Sequence, residues 1–532
     1  MTRPWLPRRS RSAMPEKPSP QLYLFLCALS IAGGIVLLLA TSRMGPGVST
    51  DSARILSTAE SLAKGKGLVD FSGRELTQFP PLYSLLQAVG HVVFGADVFI
   101  FAWALNVVVF AALIWMTGLY LHDAFPDAPI LAFLGSFVVA SSTSVLQISA
   151  NISSDPLFML LVLAFLAVAG AYLRTRETHH AVAVMALTIV SCFQRYAGLA
   201  LVLTGGLLAL YARRNAGRLA LKAAGLFVSI TAAPIFAWAY LHNRPYDGTV
   251  FGSRLPAIPG LNFESGIEKM LYWFIPHQFI TALGPVQLLA LLAGACGVLI
   301  WLTGPAALVR RLLRPQVIPS LIFLLVYSGV LIFNISYYEL KGLATDRVHV
   351  VALPPLLVVL AGLASHALEW ARQRRVPRGS YALLAAVFVV WAAYPISKTA
   401  DYVRESMAHG DVSAYNSINK GEIRRSALAA YLQGLDLQGR SIYTNGPDTA
   451  WFVLRTMVQR SPMLVSDDRL AELRRSHGDW AEKAQGAYLV WIYAEAHNSP
   501  YATPEELGHV ALLQQVYKDD RAAVYVIVSP QE

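Results

Sequence analysis

The stretch that decides the fold runs from Ser-Thr-Asp at residues 49–51 to Phe-Pro-Pro-Leu-Tyr at residues 79–83. This polar loop separates two segments that are apolar enough to cross a membrane, so Asp51 stands at the very end of a hydrophobic span. An ionised side chain is costly in that position, and by default it is a functional-site hypothesis. The helix-like run over 52–66 and the Pro-Pro-aromatic return predict a helical loop that re-enters the membrane.

The composition fixes the class of protein. Of 532 residues, 55% are hydrophobic and only 14% are charged, whereas about 25% charged residues is usual in soluble chains. Repeated apolar runs of about 20 residues therefore predict an α-helical polytopic membrane protein. The formal net charge of +10 arises mainly from Arg and Lys in short loops, so no nucleic-acid partner is expected. The three cysteines lie in apolar runs and lack disulfide or metal spacing.

The basic loops orient the chain. Excess Arg and Lys mark cytoplasmic loops, and the basic first residues place the amino terminus inside. The apolar region 181–211 has basic flanks at both ends, so we predict two short helices with a turn near 194–198. The predicted spans, about eleven in total, are 22–42, 98–121, 129–149, 156–173, the two helices within 181–211, 219–241, 279–303, 317–336, 350–367 and 382–395. An odd number places the carboxy terminus outside.

Three regions follow from this pattern. Residues 1–20 form a basic, disordered cytoplasmic tail, and residues 21–396 form the transmembrane domain with its outer loop 43–97. Residues 397–532 are far more polar and contain no span, so we predict a small extracytoplasmic α/β domain. Its predicted elements are helices over 422–435 and 504–515 and strands over 441–445, 488–493 and 523–528.

Two acids are expected on the outer face. Asp51 is a candidate for a functional site and also for the cap of a helix that begins at Ser52, and the two roles are compatible. Arg54, one turn further on, is a candidate salt-bridge partner of Asp51. Asp155 either works in the same site or is a plain N-cap before Pro156. Two carboxylates at one membrane boundary are able to divide the duties of general base and metal ligand.

Three outer-face cations accompany these acids. Arg195 lies at the tip of the predicted hairpin, where it either snorkels to the interface or pairs with an anion such as a phosphate. Lys341 and Arg347 follow in a late outer loop, and the alternative for Arg347 is a pair with its neighbour Asp346. Glu75 and His277 are two further candidate metal ligands, but their spacing is not diagnostic.

The order of these features resembles a known family. The features are Thr50-Asp51, Lys-Gly-Lys-Gly at 64–67, Phe-Pro-Pro-Leu-Tyr-Ser-Leu-Leu at 79–86, Asn106, Ser-Asp-Pro-Leu-Phe at 154–158, Arg-Tyr-Ala-Gly-Leu at 195–199, and Asp346-Arg347 before Pro354-Pro355. Over residues 22–355 the chain resembles the polytopic GT-C glycosyltransferases, on the branch of protein O-mannosyltransferases and lipid A aminoarabinose transferases. It is most similar to bacterial members with the Pro-Pro-Leu-Tyr signature.

The resemblance implies a fold and an activity. It implies inverting transfer of a sugar from a polyprenyl-phosphate carrier to a hydroxyl of a glycan, lipid or protein acceptor, in the cell envelope at the outer face of the bacterial inner membrane. Asp51 would be the base, and Asp155 would shape the site and, as in some members, bind a divalent metal ion. Arg347, and with it Arg195 or Lys341, would hold the lipid phosphate.

Two departures limit the resemblance. Many members have a second acid after the first, where this chain has Ser52, and this weakens a metal site in the first loop. The lipid A branch has a basic residue where this chain has Phe79, which argues against lipid A as the acceptor. The alternatives are a lipid or glycan transporter or flippase without transferase activity, a non-catalytic glycan-binding relative, and a membrane polymerase of glycan units. Paired half-repeats would favour a transporter, and the sequence has none.

Overall fold

A computed structural model describes residues 18–252, 263–337, 346–410, 420–437, 439–466, 468–477, 479–496 and 500–531. Residues 1–17 of the predicted tail thus lie outside the described residues. The α-helices of the described ranges, numbered α1 to α24 in chain order, are Pro20–Ala40, Thr50–Ala63, Leu82–Phe94, Val98–Ala124, Ile130–Ala140, Thr143–Ser149, Asp155–Thr175, Thr178–Gln194, Leu199–Ala212, Arg218–Trp238, Arg244–Asp247, Phe263–Leu271, His277–Leu283, Pro285–Thr303, Pro305–Leu312, Ile318–Tyr337, Leu353–Gln373, Arg378–His409, Lys420–Arg424, Ala427–Gln433, Pro447–Leu454, Arg469–His477, Trp480–Lys483 and Pro504–Leu507.

Apolar helices make up the amino-terminal three quarters of the chain. In the described ranges, six helices are long and apolar enough to cross a membrane: α1, α4, α7, α10 with its continuation to Asp247, α17 with its preceding 3₁₀ turn, and α18. Shorter apolar helices include α8 and α9, which form the predicted hairpin with a 3₁₀ turn at Tyr196–Gly198. The chain is therefore an integral membrane protein, and the total of eleven spans stays a prediction.

Two predicted spans are broken helices. The span predicted over 129–149 consists of α5 and α6, which meet at 55°, because Ser142 turns the backbone out of the helix and caps α6 through Val145 N–H. The span predicted over 279–303 consists of the end of α13 and the whole of α14, which meet at 97°. Gly284, with φ of +80°, makes that corner, a conformation that favours glycine.

Small residues let the central helices pack closely. A Cβ atom on Gly118 of α4 would lie 2.3 Å from a Leu26 methyl carbon of α1. A Cβ atom on Gly135 of α5 would lie 2.1 Å from a Leu121 methyl carbon of α4. Glycine at such contacts is typical of helices that pack in a membrane, where backbones approach each other without a hydrophobic driving force.

The carboxy-terminal region contains a five-stranded mixed sheet. Its strands, β1 to β5, are Ile442–Thr444, Gln459–Arg460, Tyr488–Ile492, Ala511–Lys518 and Ala522–Pro530. Their order is β2-β1-β3-β5-β4, with β1 parallel to β2 and β3, and β5 antiparallel to β3 and β4. The described part of the chain thus has the predicted fold class, apolar helices followed by a small α/β region.

Two predicted elements in this region were wrong in extent. The helix predicted over 504–515 ends at Leu507, and residues 511–518 form β4, because pairing with β5 overrides the local helical preference. The helix predicted over 422–435 is two helices, interrupted where Ser426 becomes the N-cap of α20. The domain boundaries at 20 and 396 stay predictions; α18 continues through residue 396 to His409.

The carboxy-terminal region packs on the outer loop. Thr50 Oγ1 donates to Asp448 Oδ2 at 2.7 Å, and Arg455 Nη1 lies 3.0 Å from Glu60 Oε1. Backbone Val458 N–H donates to the Phe71 carbonyl. The α/β region is thereby attached directly to α2, the helix that carries Asp51.

Candidate active site

A short backbone bridge joins the two segments that carry the predicted acids. The Gly47 N–H donates to the Ala150 carbonyl at 2.8 Å, and the Ile152 N–H donates to the Gly47 carbonyl at 2.9 Å. The buried Ser52 hydroxyl adds a third bond, to the Ile152 carbonyl. Because Asp51 and Asp155 lie just beyond these bonds, the bridge sets the distance between the two carboxylates.

The Pro-Pro-Leu-Tyr motif helps to hold the turn at 149–151, which precedes Asp155. Tyr83 donates its phenol to Asn106 Oδ1 at 3.0 Å. The amide nitrogen of Asn106 then donates to the carbonyls of Ser149 and Asn151, at 3.0 and 2.7 Å. Tyr83 and Asn106 are both 1% exposed. A buried chain of this kind specifies one position for the turn before Asp155, since every polar group in it has its partner.

Asp51 lies in the first turn of α2. The N-cap is Ser49, which forms a capping box with Ser52, so the alternative in which Asp51 itself caps the helix was wrong. Arg54 is also not its partner: Arg54 contacts Gln78 and lies 3.9 Å from Asp70. With 34% of its side chain exposed, Asp51 remains accessible to a substrate.

Arg347 connects the two acids. Its Nη1 lies 2.8 Å from Asp51 Oδ2, and its Nε lies 2.8 Å from Asp155 Oδ2. Tyr327 donates to the Val348 carbonyl and so fixes the backbone beside it. Burial opposes the charge of Arg347, but the carboxylates of Asp155 and Asp51 more than offset burial and raise the pKa of the guanidinium. The side chain of Asp346, the alternative partner, lies outside the described part of the chain.

Asp155 is the buried centre of the cluster. It begins α7, its side chain is 1% exposed, and its second oxygen, Oδ1, accepts from Arg195. Ser154, and not Asp155, is the N-cap residue, and neither side chain makes a capping bond. Arg195 is positioned by an extended backbone that interrupts the hairpin between α8 and α9, and the neighbouring Gln194 donates to the Ser154 carbonyl at 3.0 Å.

The cluster of Asp51, Asp155, Arg195 and Arg347 carries two negative and two positive charges. Among the described residues, no acceptor binds Nη2 of Arg347 or Nη2 of Arg195. A narrow cleft beside Arg347 is lined by Ser49, Ile148, Asn151 and Ser153. The arrangement therefore offers unused guanidinium N–H groups next to one accessible carboxylate, which suits a phosphate ester and a hydroxyl.

The donor set does not suit a metal ion at Asp155. Both oxygens of Asp155 accept from guanidinium groups, so a cation there would have to displace an arginine. Glu75 lies 3.9 Å from His242, and His277 lies 3.2 Å from Glu268, so the two considered ligands are not brought together. The divalent metal ion stays a prediction, and Lys341 lies outside the described residues.

Among the comparisons with known proteins, only the comparison of structures found similar proteins. No family model matches the chain, and no curated protein sequence matches it. Two crystal structures of ArnT from Cupriavidus metallidurans are similar to it. The apo structure has a TM-score of 0.60 and 16% identity over 95% of this chain and 97% of that chain. The structure bound to undecaprenyl phosphate has a TM-score of 0.57 and 15% identity over 97% of this chain and 100% of that chain.

These similarities define the class. The chain has a GT-C-like glycosyltransferase fold, as the resemblance in the sequence implied. The particular protein to which it is compared, ArnT, is a lipid A aminoarabinose transferase. At this level of identity the likeness concerns the fold, and the branch of the family stays a prediction.

Sequence reasoning missed several supporting residues. Gln194, Ser154 and Tyr327 hold the acids or the arginines in place, and Asp448 contacts the threonine next to Asp51. Gln194 carried a usable signal, because a polar residue at the end of an apolar helix tends to have a partner. Asp448 carried none, since it lies 398 positions from Thr50.

Proposed function

We propose that this protein transfers a sugar from a polyprenyl-phosphate carrier to an acceptor hydroxyl, with inversion at the anomeric carbon. The single observation that carries the proposal is the contact of Arg347 with both Asp51 and Asp155. It joins an accessible base candidate to a phosphate-binding candidate at one membrane boundary. The likeness to a structure of ArnT bound to undecaprenyl phosphate supports a polyprenyl-phosphate donor.

The reaction divides naturally between the side chains. Asp51 accepts the proton of the acceptor hydroxyl, whose oxygen forms the new bond to the anomeric carbon from the face opposite the phosphate. The bond from that carbon to the phosphate oxygen breaks, and the polyprenyl phosphate leaves with the electron pair. A general base of this kind contributes about 10²–10⁴-fold, and fixed cations at the released phosphate stabilise the developing charge.

Asp155 has a different task in this scheme. Because it is buried and both its oxygens accept from arginine, it acts as a positioning residue that orients Arg195 and Arg347. Arg347 also holds Asp51. A donor phosphate that takes Arg347 would release Asp51 as a base, so we expect donor binding to precede activation of the acceptor.

The orientation in the membrane belongs to the same proposal. From the positive loops at the far ends of the helices we infer that the amino terminus lies in the cytoplasm and that the site cluster and the α/β region lie on the outer face of the bacterial inner membrane. The acceptor is a glycan, lipid or protein hydroxyl. The partly buried Phe79, which packs against the outer-loop core, offers no charge to a phosphorylated acceptor, and this favours an acceptor other than lipid A.

The test is transfer from a panel of labelled polyprenyl-phosphate sugars in proteoliposomes. Wild type is compared with Asp51→Asn, and Asp401→Asn serves as a matched control because Asp401 is exposed and pairs only with Arg404 among the described residues. We expect label to leave the lipid with wild type and the control, and release to fall at least 100-fold in Asp51→Asn.

Other outcomes have defined meanings. Label that crosses the bilayer but stays on the lipid supports a flippase and contradicts the transferase. Equal transfer by wild type and Asp51→Asn retains the transferase and removes Asp51 as the base. A donor added before the acceptor should give a larger first turnover than the reverse order if donor binding releases Asp51.

A further inference from the structure

A second polar cavity lies at the end of α17 opposite the site cluster. It has a volume of about 350 Å³, and its lining includes Arg310, Arg311, Arg314, His366, Glu369 and Trp370. Arg347 stands just before α17, whereas Glu369 lies close to its last turn. Twenty-one residues of helix measure about 30 Å, and the hydrocarbon core is about as thick. The cavity therefore lies at the other membrane interface.

Two of its arginines are fixed by carboxylates. Arg311, whose side chain is 9% exposed, donates from Nη1 to Asp127 at 2.7 Å and to Ser365 at 2.8 Å, and its Nη2 pairs with Glu369. Arg314 Nη1 lies 3.3 Å from the other oxygen of Asp127. These bonds fix the side chains on this side of the cavity, where the two arginines are neutralised by Asp127 and Glu369.

The remaining arginine leaves one positive charge unbalanced. Arg310 is exposed and lines the cavity, and no residue in the described ranges pairs with it. The three lining arginines outnumber Asp127 and Glu369 by one, and Arg372, which donates to the Asp127 carbonyl, adds a further positive charge nearby. The surroundings of the cavity therefore favour an anion.

His366 supplies an independent sign of a ligand. It is 4% exposed and lines the cavity, and its Nε2 has no hydrogen-bond partner among the described residues. A buried polar atom without a partner costs about 1–3 kcal/mol, and in native proteins such atoms call for an explanation. An oxygen of a bound anion next to Arg310 would accept a hydrogen bond from this nitrogen.

We propose that this cavity binds a phosphate group, supplied by the headgroup of an anionic phospholipid in the inner leaflet. A phosphodiester carries a negative charge that would pair with Arg310, and Trp370 is an interfacial side chain of the kind that lies at headgroup level. Basic pockets between helices on the cytoplasmic side are a known way to hold anionic headgroups. The inference does not depend on the proposed transferase activity.

The test uses the full-length protein in nanodiscs with increasing phosphatidylglycerol in phosphatidylcholine, read as thermal unfolding and as lipid retained in native mass spectra. Arg310→Gln removes the unbalanced charge. Arg213→Gln is the matched control, an exposed arginine that ends α9 on the same face. We expect phosphatidylglycerol to protect wild type and the control, with about fivefold weaker binding in Arg310→Gln.

His366→Phe makes the test independent of charge. The ring keeps its size and loses the unpaired nitrogen, so in phosphatidylcholine alone the variant should be as stable as wild type or more so. With phosphatidylglycerol it should gain less protection than wild type. Protection by inorganic phosphate in detergent, lost in both variants, would assign the site to phosphate from solution. Binding by Arg310→Gln and His366→Phe equal to that of wild type and Arg213→Gln would overturn the proposal.

Discussion

At the scale of single residues, burial distinguishes two chemically identical carboxylates. The Asp51 side chain is 34% exposed and the Asp155 side chain is 1% exposed, although both contact Arg347. Water competes for the first ion pair and is excluded from the second. An exposed pair contributes about 0–1 kcal/mol, whereas loss of one partner of a buried pair costs about 3–5 kcal/mol, because the other charge stays buried.

Asp155→Asn should therefore destabilise the protein far more than Asp51→Asn. We expect a loss of about 3 kcal/mol for Asp155→Asn, since Arg195 and Arg347 lose their shared anion, and less than about 1 kcal/mol for Asp51→Asn. Unfolding of both variants in the same detergent measures the difference. Equal stability of the two variants would show that Asp155 does not hold the arginines together.

Arg347→Lys should separate charge from geometry. Lysine keeps the positive charge but lacks the planar fork that reaches two carboxylates at once. Loss of one charge-assisted hydrogen bond, about 1.5 kcal/mol, corresponds to roughly tenfold weaker donor binding. The measurement is KM for the donor at saturating acceptor. An unchanged KM with reduced kcat would place Arg347 outside the donor site.

At the scale of elements, the motif around the outer loop is a support and not a set of catalytic groups. Tyr83 at the start of α3 donates to Asn106 in α4, and Asn106 holds the turn at 149–151 by two hydrogen bonds. That turn is bridged to Gly47, just before α2. The motif thus acts on Asp51 and Asp155 through the backbone.

Tyr83→Phe tests this support. The change leaves Asn106 Oδ1 buried without its hydrogen-bond partner, which should destabilise the protein by about 1–3 kcal/mol. Because the turn before Asp155 would then shift, we expect kcat to fall while KM for the sugar donor stays nearly unchanged. Tyr431→Phe is the control, because Tyr431 lies in the carboxy-terminal region and stacks on Tyr517 without a phenol hydrogen bond in the described ranges. Equal kcat in both variants would contradict a role for Tyr83 in positioning the site.

The α/β region contains an acid-sensitive connection between helices. Arg469 of α22 donates to both carboxylate oxygens of Glu506 in α24, and this hydrogen bond, against the opposing effect of burial, lowers the pKa of Glu506 below its usual 4.5. A carboxyl group with a lowered pKa stabilises the folded state above the unfolded pKa and loses that contribution as pH falls through the folded value.

Glu506→Gln should accordingly make the free energy of unfolding less dependent on pH in the acid range. We expect wild type to lose about 1 kcal/mol more than Glu506→Gln between pH 6 and pH 3, a small value because the pair is partly solvated. Hydrogen exchange of the β4 and β5 amides as a function of pH measures it. Parallel pH curves for the two proteins would remove Glu506 from the acid response.

At the scale of the whole molecule, the α/β region packs on the outer loop. Arg455 packs over Trp451 and Phe452 and lies 3.0 Å from Glu60 of α2. Three tryptophans of this region are 3–7% exposed and belong to its core: Trp451, Trp480 and Trp491. The region therefore acts on the site through its contact with α2.

Arg455→Gln should weaken the contact between the α/β region and α2 without unfolding either of them. Glu60 would lose the partner that offsets its burial, and amide exchange in α2 should rise about tenfold, equivalent to about 1.4 kcal/mol. Arg440→Gln serves as the control, because the Arg440 side chain contacts Tyr488 within the α/β region. Unchanged exchange in α2 would mean that the other contacts between the two parts, among them the bond from Thr50 to Asp448, are sufficient to hold them together.

Much of the fold was predictable because apolar runs and basic loops record how a chain meets a bilayer. The hairpin at Arg195, the first outer helix and the class of the carboxy-terminal region followed from local pattern. The bend between α5 and α6 did not, since a capping serine inside an apolar run has little effect on hydropathy. The strand β4 did not, since pairing partners decide strands more than local preference does.

The sequence by itself determined which residues were costly to place at the membrane boundary. Each of them requires a partner of opposite charge: Asp51, Asp155, Arg195 and Arg347. Only the tertiary structure decided the pairing, in which Arg347 bridges two acids that lie 104 residues apart (Asp51 and Asp155). The physical reason is that the cost of a buried charge is a local property of its residue and depth. The contact that offsets this cost depends on where distant helices bring their ends together.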